Sequence, residues 1–264
     1  AGAFGLDARP NITARVKEEL QLAAKDPSIK ALLLRINSSG GSVTTCDIIR
    51  HEIQKFKKEK NIPVVAELMD TAASGGYYIA AGAERIVAHP TTVTGSIGVV
   101  AYGIDASGLM EKIGLSDQTV KSGGKKDIGS PLRKMTDEEK RIIQSVIDSF
   151  HKRFVDVILE GRAGRVEKQK LLQVSDGRIL TAKEALETGL IDRIGYIDDA
   201  VDMAKELSGL KEATVITYAP PRAYKTNIYS MSAEPEKEMA GIMGIDLGGL
   251  LASSGIKFMY LWMP

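Results

Sequence analysis

The sequence has few cysteines, few aromatic residues and no excess of either charge. A single cysteine, Cys46, among 264 residues excludes an internal disulfide framework and a zinc ribbon. Lys and Arg number 35 against 34 Asp and Glu, which argues against nucleic-acid binding through bulk positive charge and against an acidic disordered chain. We therefore expect a folded domain that uses no metal or other cofactor and binds no nucleic acid.

Long hydrophobic runs are also missing. No window of about 18 apolar residues could form a membrane-spanning helix, and the N-terminus lacks the basic-then-apolar layout of a secretory signal. The most apolar stretch, residues 241–264, is interrupted by Asp246 and Lys257 and contains several glycines. We interpret it as an apolar tail peptide rather than a membrane span.

The first half of the chain alternates short apolar runs with amphipathic segments, which predicts an α/β fold with a largely parallel sheet. A first helix is expected over 10–24. Strands are then expected at 31–36, 63–68 and 85–88, with further short strands at 97–100 and 118–120. Helices are expected at 43–58, from 74 onward and at 107–112.

The second half is mainly helical. Thr136 and Glu139 have the spacing of a capping box, and an apolar stripe follows, so a long helix is expected over 136–161. Shorter helices are expected at 166–172, 181–187 and 197–207. We predict one domain over 10–210, with 211–264 forming a C-terminal strand at 213–218, a flexible loop at 220–238 and the apolar tail.

Two glycine-containing turns follow predicted strands. In Asn-Ser-Ser-Gly-Gly at 37–41, the glycines allow backbone N–H groups to approach a ligand, as in an oxyanion hole; by itself, a plain turn is the favoured alternative. At 71–78, small residues surround Ser74, as a strained nucleophile turn requires. Ala72 replaces the first glycine of the usual elbow, and a simple N-cap role for Ser74 is equally compatible.

A nucleophilic serine needs a base. His51, His89 and His151 carry no pattern of a Ser-His-Asp triad, and we expect them to be surface or packing residues. Lysines occur in the glycine-rich segment Lys-Ser-Gly-Gly-Lys-Lys-Asp at 121–127, and a neutral lysine amine can deprotonate a serine. Taken alone, this segment is more typical of a solvated basic loop.

The same segment does not fit a phosphate-binding loop. Asp127 stands where Ser or Thr should follow the lysine, and Pro131 stands where a helix should begin. Nucleotide binding is therefore not expected.

In order and spacing, four motifs together resemble the signal peptide peptidase A family, the bacterial Ser/Lys-dyad serine proteases of the ClpP/crotonase fold. They are 37–41, Ala-Ala-Ser-Gly-Gly-Tyr-Tyr at 72–78, Thr-Gly-Ser-Ile-Gly-Val at 94–99, and 121–127. The resemblance covers about residues 28–200. It implies repeated β-β-α-type units around a largely parallel sheet, with a helical C-terminal extension.

The resemblance also implies catalytic roles. Ser74 would be the nucleophile and Lys126 the general base. Lys126 is preferred to Lys125 because the family motif places lysine immediately before aspartate, here Asp127.

Three further residues would support this dyad. Ser96 matches the family serine that hydrogen-bonds the dyad lysine, and the backbone N–H groups of Gly41 and Gly75 would form the oxyanion hole. Ser39 stands where family members usually have proline, and by the resemblance this change loosens the oxyanion turn without removing its N–H groups.

By the same resemblance, the substrates would be remnant signal peptides and other apolar peptides, cleaved by a homo-oligomeric ring. The catalytic body would be soluble at the bacterial cell membrane, on the extracytoplasmic side by preference, with an anchor absent from this chain. The family's opening strand is not recognisable in 1–9. Two alternatives stay open: a crotonase-like acyl-CoA enzyme and a non-catalytic membrane-associated scaffold.

The last eight residues, Lys-Phe-Met-Tyr-Leu-Trp-Met-Pro at 257–264, themselves look like an apolar substrate. They are expected either to dock in a binding groove, where the site would trim them, or to pack on the body as the end of a strand or helix.

Overall fold

The computed structural model of the chain describes residues 12–218 and 257–262. Contacts group these residues into two compact units. The first comprises 12–98, 154–218 and 260–262, and the second comprises 99–153 and 257–259.

Eight helices and nine strands lie within the described residues. The helices are α1 (Ile12–Lys25), α2 (Val43–Lys60), α3 (Gly75–Ala80), α4 (Ser107–Lys112), α5 (Asp137–Gly161), α6 (Lys168–Val174), α7 (Ala182–Glu187) and α8 (Ile197–Ser208). The strands are β1 (Leu32–Ser38), β2 (Gly40–Ser42), β3 (Val64–Ala73), β4 (Arg85–Ala88), β5 (Val93–Gly95), β6 (Val100–Tyr102), β7 (Ile179–Thr181), β8 (Arg193–Ile194) and β9 (Lys257–Leu261).

Strand β3 is the centre of the main sheet, in the first unit. It pairs in parallel with β1, β4 and β5, and β4 pairs in parallel with β8. Only β7 is antiparallel, alongside β5. Most of β3 is buried, as expected of a strand in a parallel sheet covered by helices. The predicted α/β fold with a largely parallel sheet is confirmed.

Helices cover this sheet with apolar residues. Met203 and Ala204 of α8 join a buried cluster with Val65 of β3 and Val87 of β4. Helix α3 contacts both α2 and β3, which places the turn before α3 in the interior of the first unit. None of the helices within 12–218 is both long and apolar enough to cross a lipid bilayer.

In the second unit, Val100–Tyr102 pairs antiparallel with residues 257–259 of β9. The predicted capping box at the start of α5 is present: the Thr136 N–H donates to Glu139 Oε2 at 2.9 Å, and the Glu139 N–H donates to Thr136 Oγ1 at 3.2 Å. Both contacts satisfy N–H groups near the start of the helix, which would otherwise lack acceptors.

Three sequence predictions are wrong. The expected strand at 97–100 is replaced by β5 and β6, because Ser96 has a φ of 49° that ends the extended backbone. Residues 118–120 form no strand, since the Thr119 N–H and Oγ1 both bond to Asp117 Oδ1 in a local turn. The expected strand at 213–218 is irregular and has no ladder partner among the described residues.

Predictions for residues 1–11, for the loop at 220–238 and for the end of the tail fall outside the described residues.

Candidate active site

Ser74 lies at the turn between β3 and α3, in a conformation that few residues other than glycine adopt. Its φ is 52° and its ψ is −115°. The turn is held from both sides, because the Ser74 N–H donates to Gly95 O at 2.8 Å and the Tyr78 N–H donates to Ser74 O at 2.9 Å. A strained strand-to-helix turn of this kind projects a serine side chain from the end of a sheet.

The Ser74 hydroxyl is buried without a partner. The residue is 1% exposed, and Oγ makes no hydrogen bond to any described residue. An unpaired buried polar group costs about 1–3 kcal/mol, so the fold retains it for a reason other than stability. The alternative of an N-cap role is not supported, because Ser74 occupies the N-cap position of α3 without a side-chain capping bond.

The turn at 37–41 lies directly against Gly75, the residue that follows Ser74. A Cβ added to Gly75 would lie 3.1 Å from Gly41 N, 3.1 Å from Gly40 Cα and 2.5 Å from Cys46 Sγ. No side chain fits between the two turns, so glycine at 75 is required for their close approach. The structure thus brings Gly41 and Gly75, the two residues expected to supply oxyanion-hole N–H groups, into one place.

Gly40 fits the same arrangement. Its φ of 120° suits glycine, and a Cβ there would lie 1.9 Å from Tyr260 O. The Trp262 N–H donates to Ser39 O at 2.8 Å, so the end of β9 runs beside this turn. Tyr260 is buried between Tyr78, at a ring-centroid distance of 5.0 Å, and Phe154, at 4.7 Å.

Ser96 is held close to the backbone of Ser74. It directly follows Gly95, the residue whose carbonyl accepts the Ser74 N–H. Its own N–H donates to Arg178 O at 2.7 Å, and the residue is 6% exposed. Of the three non-glycine residues with positive φ in the described chain, two are Ser74 and Ser96. The backbone is therefore unusual at both serines.

Lys126 belongs to the second unit and lies in an exposed turn, where its N–H donates to Gly123 O at 3.0 Å. The neighbouring Lys125 forms an ion pair with Glu138. Lys126 forms no ion pair with any described residue. The amine of Lys126 is thus not already committed to a carboxylate among these residues.

None of the three histidines is in hydrogen-bonding contact with the Ser74 hydroxyl. Ser74 Oγ has no hydrogen-bonding partner among the described residues, which include His51, His89 and His151. His89 instead contacts Thr91 Oγ1 through Nδ1 at 2.9 Å and packs edge-on against Tyr196.

Cys46 is equally unsuited to nucleophilic chemistry. Burial, and next the nearby Asp47, raise the pKa of its thiol to about 12. The reactive thiolate is therefore scarce at neutral pH. In addition, no group of three or more His, Cys, Asp or Glu side chains suited to a metal ion occurs among the described residues.

Sequence reasoning missed the contacts that Cys46 and Tyr260 make around the two turns. No local pattern indicates that Cys46 packs behind Gly75, because 29 positions separate them. For Tyr260 a signal existed, since residues 258–261 are apolar and rich in strand-forming residues, and the alternative that the tail packs on the body as the end of a strand agrees with β9 and with the buried Tyr260.

Comparison with known proteins identifies the family. Residues 56–211 match the model of Peptidase family S49. This range includes Ser74, Ser96 and Lys126. The chain belongs to peptidase family S49. The predicted resemblance, and with it a family of serine proteases, is confirmed.

Three similar proteins agree with the S49 assignment. The chain is 43% identical over 200 residues to "Putative signal peptide peptidase SppA" of Enterococcus faecium, covering 76% of this chain and 57% of that protein. It is 32% identical to the chloroplastic serine protease SPPA of Arabidopsis thaliana, covering 91% and 35%, and 34% identical to Protease 4 of Salmonella typhi, covering 74% and 31%. The matched region is thus less than two thirds of each relative's length.

Proposed function

We propose that this S49 chain is a serine endopeptidase in which Ser74 is the nucleophile and Lys126 the general base. The observation that carries the proposal is the Ser74 hydroxyl, which is buried in a strained turn with no hydrogen-bonding partner among the described residues. A nucleophile awaiting a base and a substrate has this combination of strain and an unused hydroxyl.

The reaction would proceed through an acyl-enzyme. Neutral Lys126 Nζ removes the proton of Ser74 Oγ, and Oγ attacks the carbonyl carbon of the scissile peptide bond. The ammonium of Lys126 then protonates the leaving amine as the C–N bond breaks. A water molecule, deprotonated by Lys126, attacks the acyl carbon and releases Ser74.

The negative oxygen of each tetrahedral intermediate would be bound by the N–H groups of Gly41 and Gly75. The close approach of the two glycine turns supports this assignment. Loss of one such donor typically lowers kcat by about 100- to 1000-fold. Ser96 would donate a hydrogen bond that orients Lys126; its backbone link to the Ser74 turn, through Gly95, is consistent with that role.

Apolar peptides are the substrate class that the surroundings of the 37–41 turn favour. The end of β9 is itself an extended apolar segment whose backbone bonds to Ser39 and whose Tyr260 side chain is buried against Tyr78 and Phe154. An extended substrate bound beside a turn would use similar backbone bonds for affinity and apolar contacts for specificity. Signal peptides, which the name of the Enterococcus faecium relative mentions, belong to this class, as do the remnant signal peptides that the family resemblance implies as substrates.

The remaining proposals come from the family resemblance. We assign the main sheet and its helices to the ClpP/crotonase fold, which the parallel β1, β3, β4 and β5 support. A homo-oligomeric ring at the bacterial cell membrane, with its catalytic body on the extracytoplasmic side, stays a proposal.

Cleavage of fluorogenic peptides with Leu, Ala, Tyr or Met before the scissile bond tests the dyad. Ser74→Ala and Lys126→Ala should each abolish cleavage, whereas Lys125→Ala and the exposed control Ser116→Ala should keep it. A lysine base also predicts activity that rises from neutral to alkaline pH. Full activity of Ser74→Ala or Lys126→Ala would contradict the dyad; an inactive Lys125→Ala beside an active Lys126→Ala would move the base by one residue.

A fluorophosphonate probe separates the protease from the two alternatives. Attachment of the probe to Ser74, located by peptide mass spectrometry, is expected only for an activated serine. A crotonase-like acyl-CoA enzyme would bind acyl-CoA and leave Ser74 unlabelled, and a scaffold would bind no acyl-CoA and also leave Ser74 unlabelled.

A further inference from the structure

The segment that carries Lys126 is not fixed by packing. A Cβ added to Gly123 or Gly124 would meet no atom of a described residue within 4 Å, and residues 121–126 are exposed. The backbone bonds donated by the N–H groups of Lys126, Ile128 and Ser130 close turns within residues 123–130. A general base needs a defined position, so the segment must be anchored by other contacts.

Asp127, the residue after Lys126, provides the anchor point. Arg133 Nε lies 2.7 Å from Asp127 Oδ2 and Arg133 Nη2 lies 2.7 Å from Oδ1, a two-pronged contact. Lys121 Nζ adds a bond of 2.6 Å to Oδ2. The Arg133 guanidinium, and next the Lys121 ammonium, hold the pKa of Asp127 well below its usual range, so the carboxylate stays charged at neutral pH.

Arg133 is bound at the same time to a second carboxylate. Its Nη1 lies 2.9 Å from Glu139 Oε2 and its Nη2 lies 2.6 Å from Glu139 Oε1. Glu139 is 2% exposed and is fixed by the capping box with Thr136 at the start of the 25-residue helix α5. A continuous series of charged contacts therefore leads from α5 through Arg133 to Asp127.

We propose that Arg133 is a positioning residue for the general base: it clamps Asp127 to Glu139 and thereby fixes the backbone that carries Lys126. The inference rests on the proposed function, because it requires Lys126 to be the base. A planar guanidinium can bridge two carboxylates through several fixed N–H groups, whereas an ammonium acts as a single point charge.

Steady-state kinetics on an apolar fluorogenic peptide tests the clamp. Arg133→Gln should lower kcat by about 10- to 100-fold with little change in KM, since misplacing a catalytic group by about 1 Å has effects of this size. Arg15→Gln, which breaks an exposed arginine ion pair with Glu19 on α1, is the matched control and should keep wild-type kcat.

Arg133→Lys separates positioning from charge balance. If the arginine only neutralised two carboxylates, lysine would restore both the melting temperature and kcat. We expect the melting temperature to recover and kcat to stay at least tenfold low. Wild-type kcat in a folded Arg133→Lys would overturn the proposal, and this variant also serves if Arg133→Gln fails to fold.

A double substitution tests the route through Asp127. If Arg133 acts by holding Asp127, then Asp127→Asn should lower kcat by a similar factor, and Arg133→Gln with Asp127→Asn should lower it no further than the worse single change. Additive losses would overturn the proposal.

Failure of the clamp is distinguishable from failure of the proposed function. Wild-type activity of Lys126→Ala would reject the proposed Ser74–Lys126 dyad itself. An inactive Lys126→Ala beside a fully active Arg133→Gln leaves the dyad intact and rejects the clamp alone.

Discussion

The contact between Gly75 and Cys46 gives a quantitative prediction for Gly75→Ala. The new methyl group would lie 2.5 Å from Cys46 Sγ, well inside the separation of about 3.5–4 Å at which buried atoms attract each other. Cys46 is 3% exposed, so its side chain has little room to move away. We expect the free energy of unfolding to fall by about 2 kcal/mol, within the usual range for overpacking a buried site.

Gly75→Ala should lower activity more than it lowers stability. Relieving the clash requires the backbone at Gly75 to shift, and its N–H is one of the two proposed oxyanion donors. We therefore expect kcat to fall by about 100-fold or more, with KM much less affected. Urea unfolding and hydrolysis of a fluorogenic apolar peptide measure the two effects on the same preparation.

Two further variants make the reasoning specific. Cys46→Ala removes the sulfur, so combined with Gly75→Ala it should recover part of the lost stability, although the 3.1 Å contacts to Gly41 N and Gly40 Cα persist. Gly108→Ala on α4 is the control. A Cβ there meets no atom within 4 Å in the part of the chain that the structure describes, and stability should change by no more than about 1 kcal/mol, toward greater stability. Wild-type stability of Gly75→Ala would refute the close packing of the two turns, and the absence of coupling between positions 75 and 46 would refute the contact of Gly75 with Cys46.

Three other predictions follow from particular contacts. The Arg133 guanidinium, and next Thr136, lower the pKa of Glu139 from 4.5 to about 2. The stability that these contacts give to the folded state is therefore complete above about pH 4.5 and is lost as the pH falls toward 2. The difference in urea midpoint between wild type and Arg133→Gln should therefore shrink on acidification, and a constant difference would contradict this origin. If the site trims the tail at 257–264, intact-mass spectrometry should show a shortened active enzyme and an intact Ser74→Ala; equal masses would argue against trimming. Native protein at pH 8 should resist iodoacetamide at Cys46, whose pKa is raised to about 12, and react only after unfolding.

Much of the fold could be predicted because its signals are local. Alternation of short apolar runs with amphipathic segments predicted β4 (Arg85–Ala88) and α4 (Ser107–Lys112) at their observed bounds, and the Thr136 capping box marked the start of α5. The prediction failed where pairing or backbone strain decides the structure. The strand expected at 97–100 is one example, since the positive φ of Ser96 cannot be inferred from its side chain.

The candidate site, like the fold, could be predicted only where its signals are local. The small residues around Ser74 predicted a strained turn, and its φ of 52° agrees. The absence of a hydrogen-bonding partner for the Ser74 hydroxyl could not be predicted, because it depends on where every neighbouring helix and strand places its polar atoms. The contact of Gly75 with Gly41 and Cys46 likewise joins segments about 30 positions apart.

The choice between two adjacent lysines depends on contacts rather than on composition. Lys125 and Lys126 are both exposed and share one glycine-rich segment, so composition cannot separate them. Lys125 is paired with Glu138, whereas no described carboxylate pairs with Lys126. Asp127 is fixed by Arg133, which orients the lysine next to it without neutralising that lysine. A base must be both held in place and left able to accept a proton, and among these two lysines this combination favours Lys126.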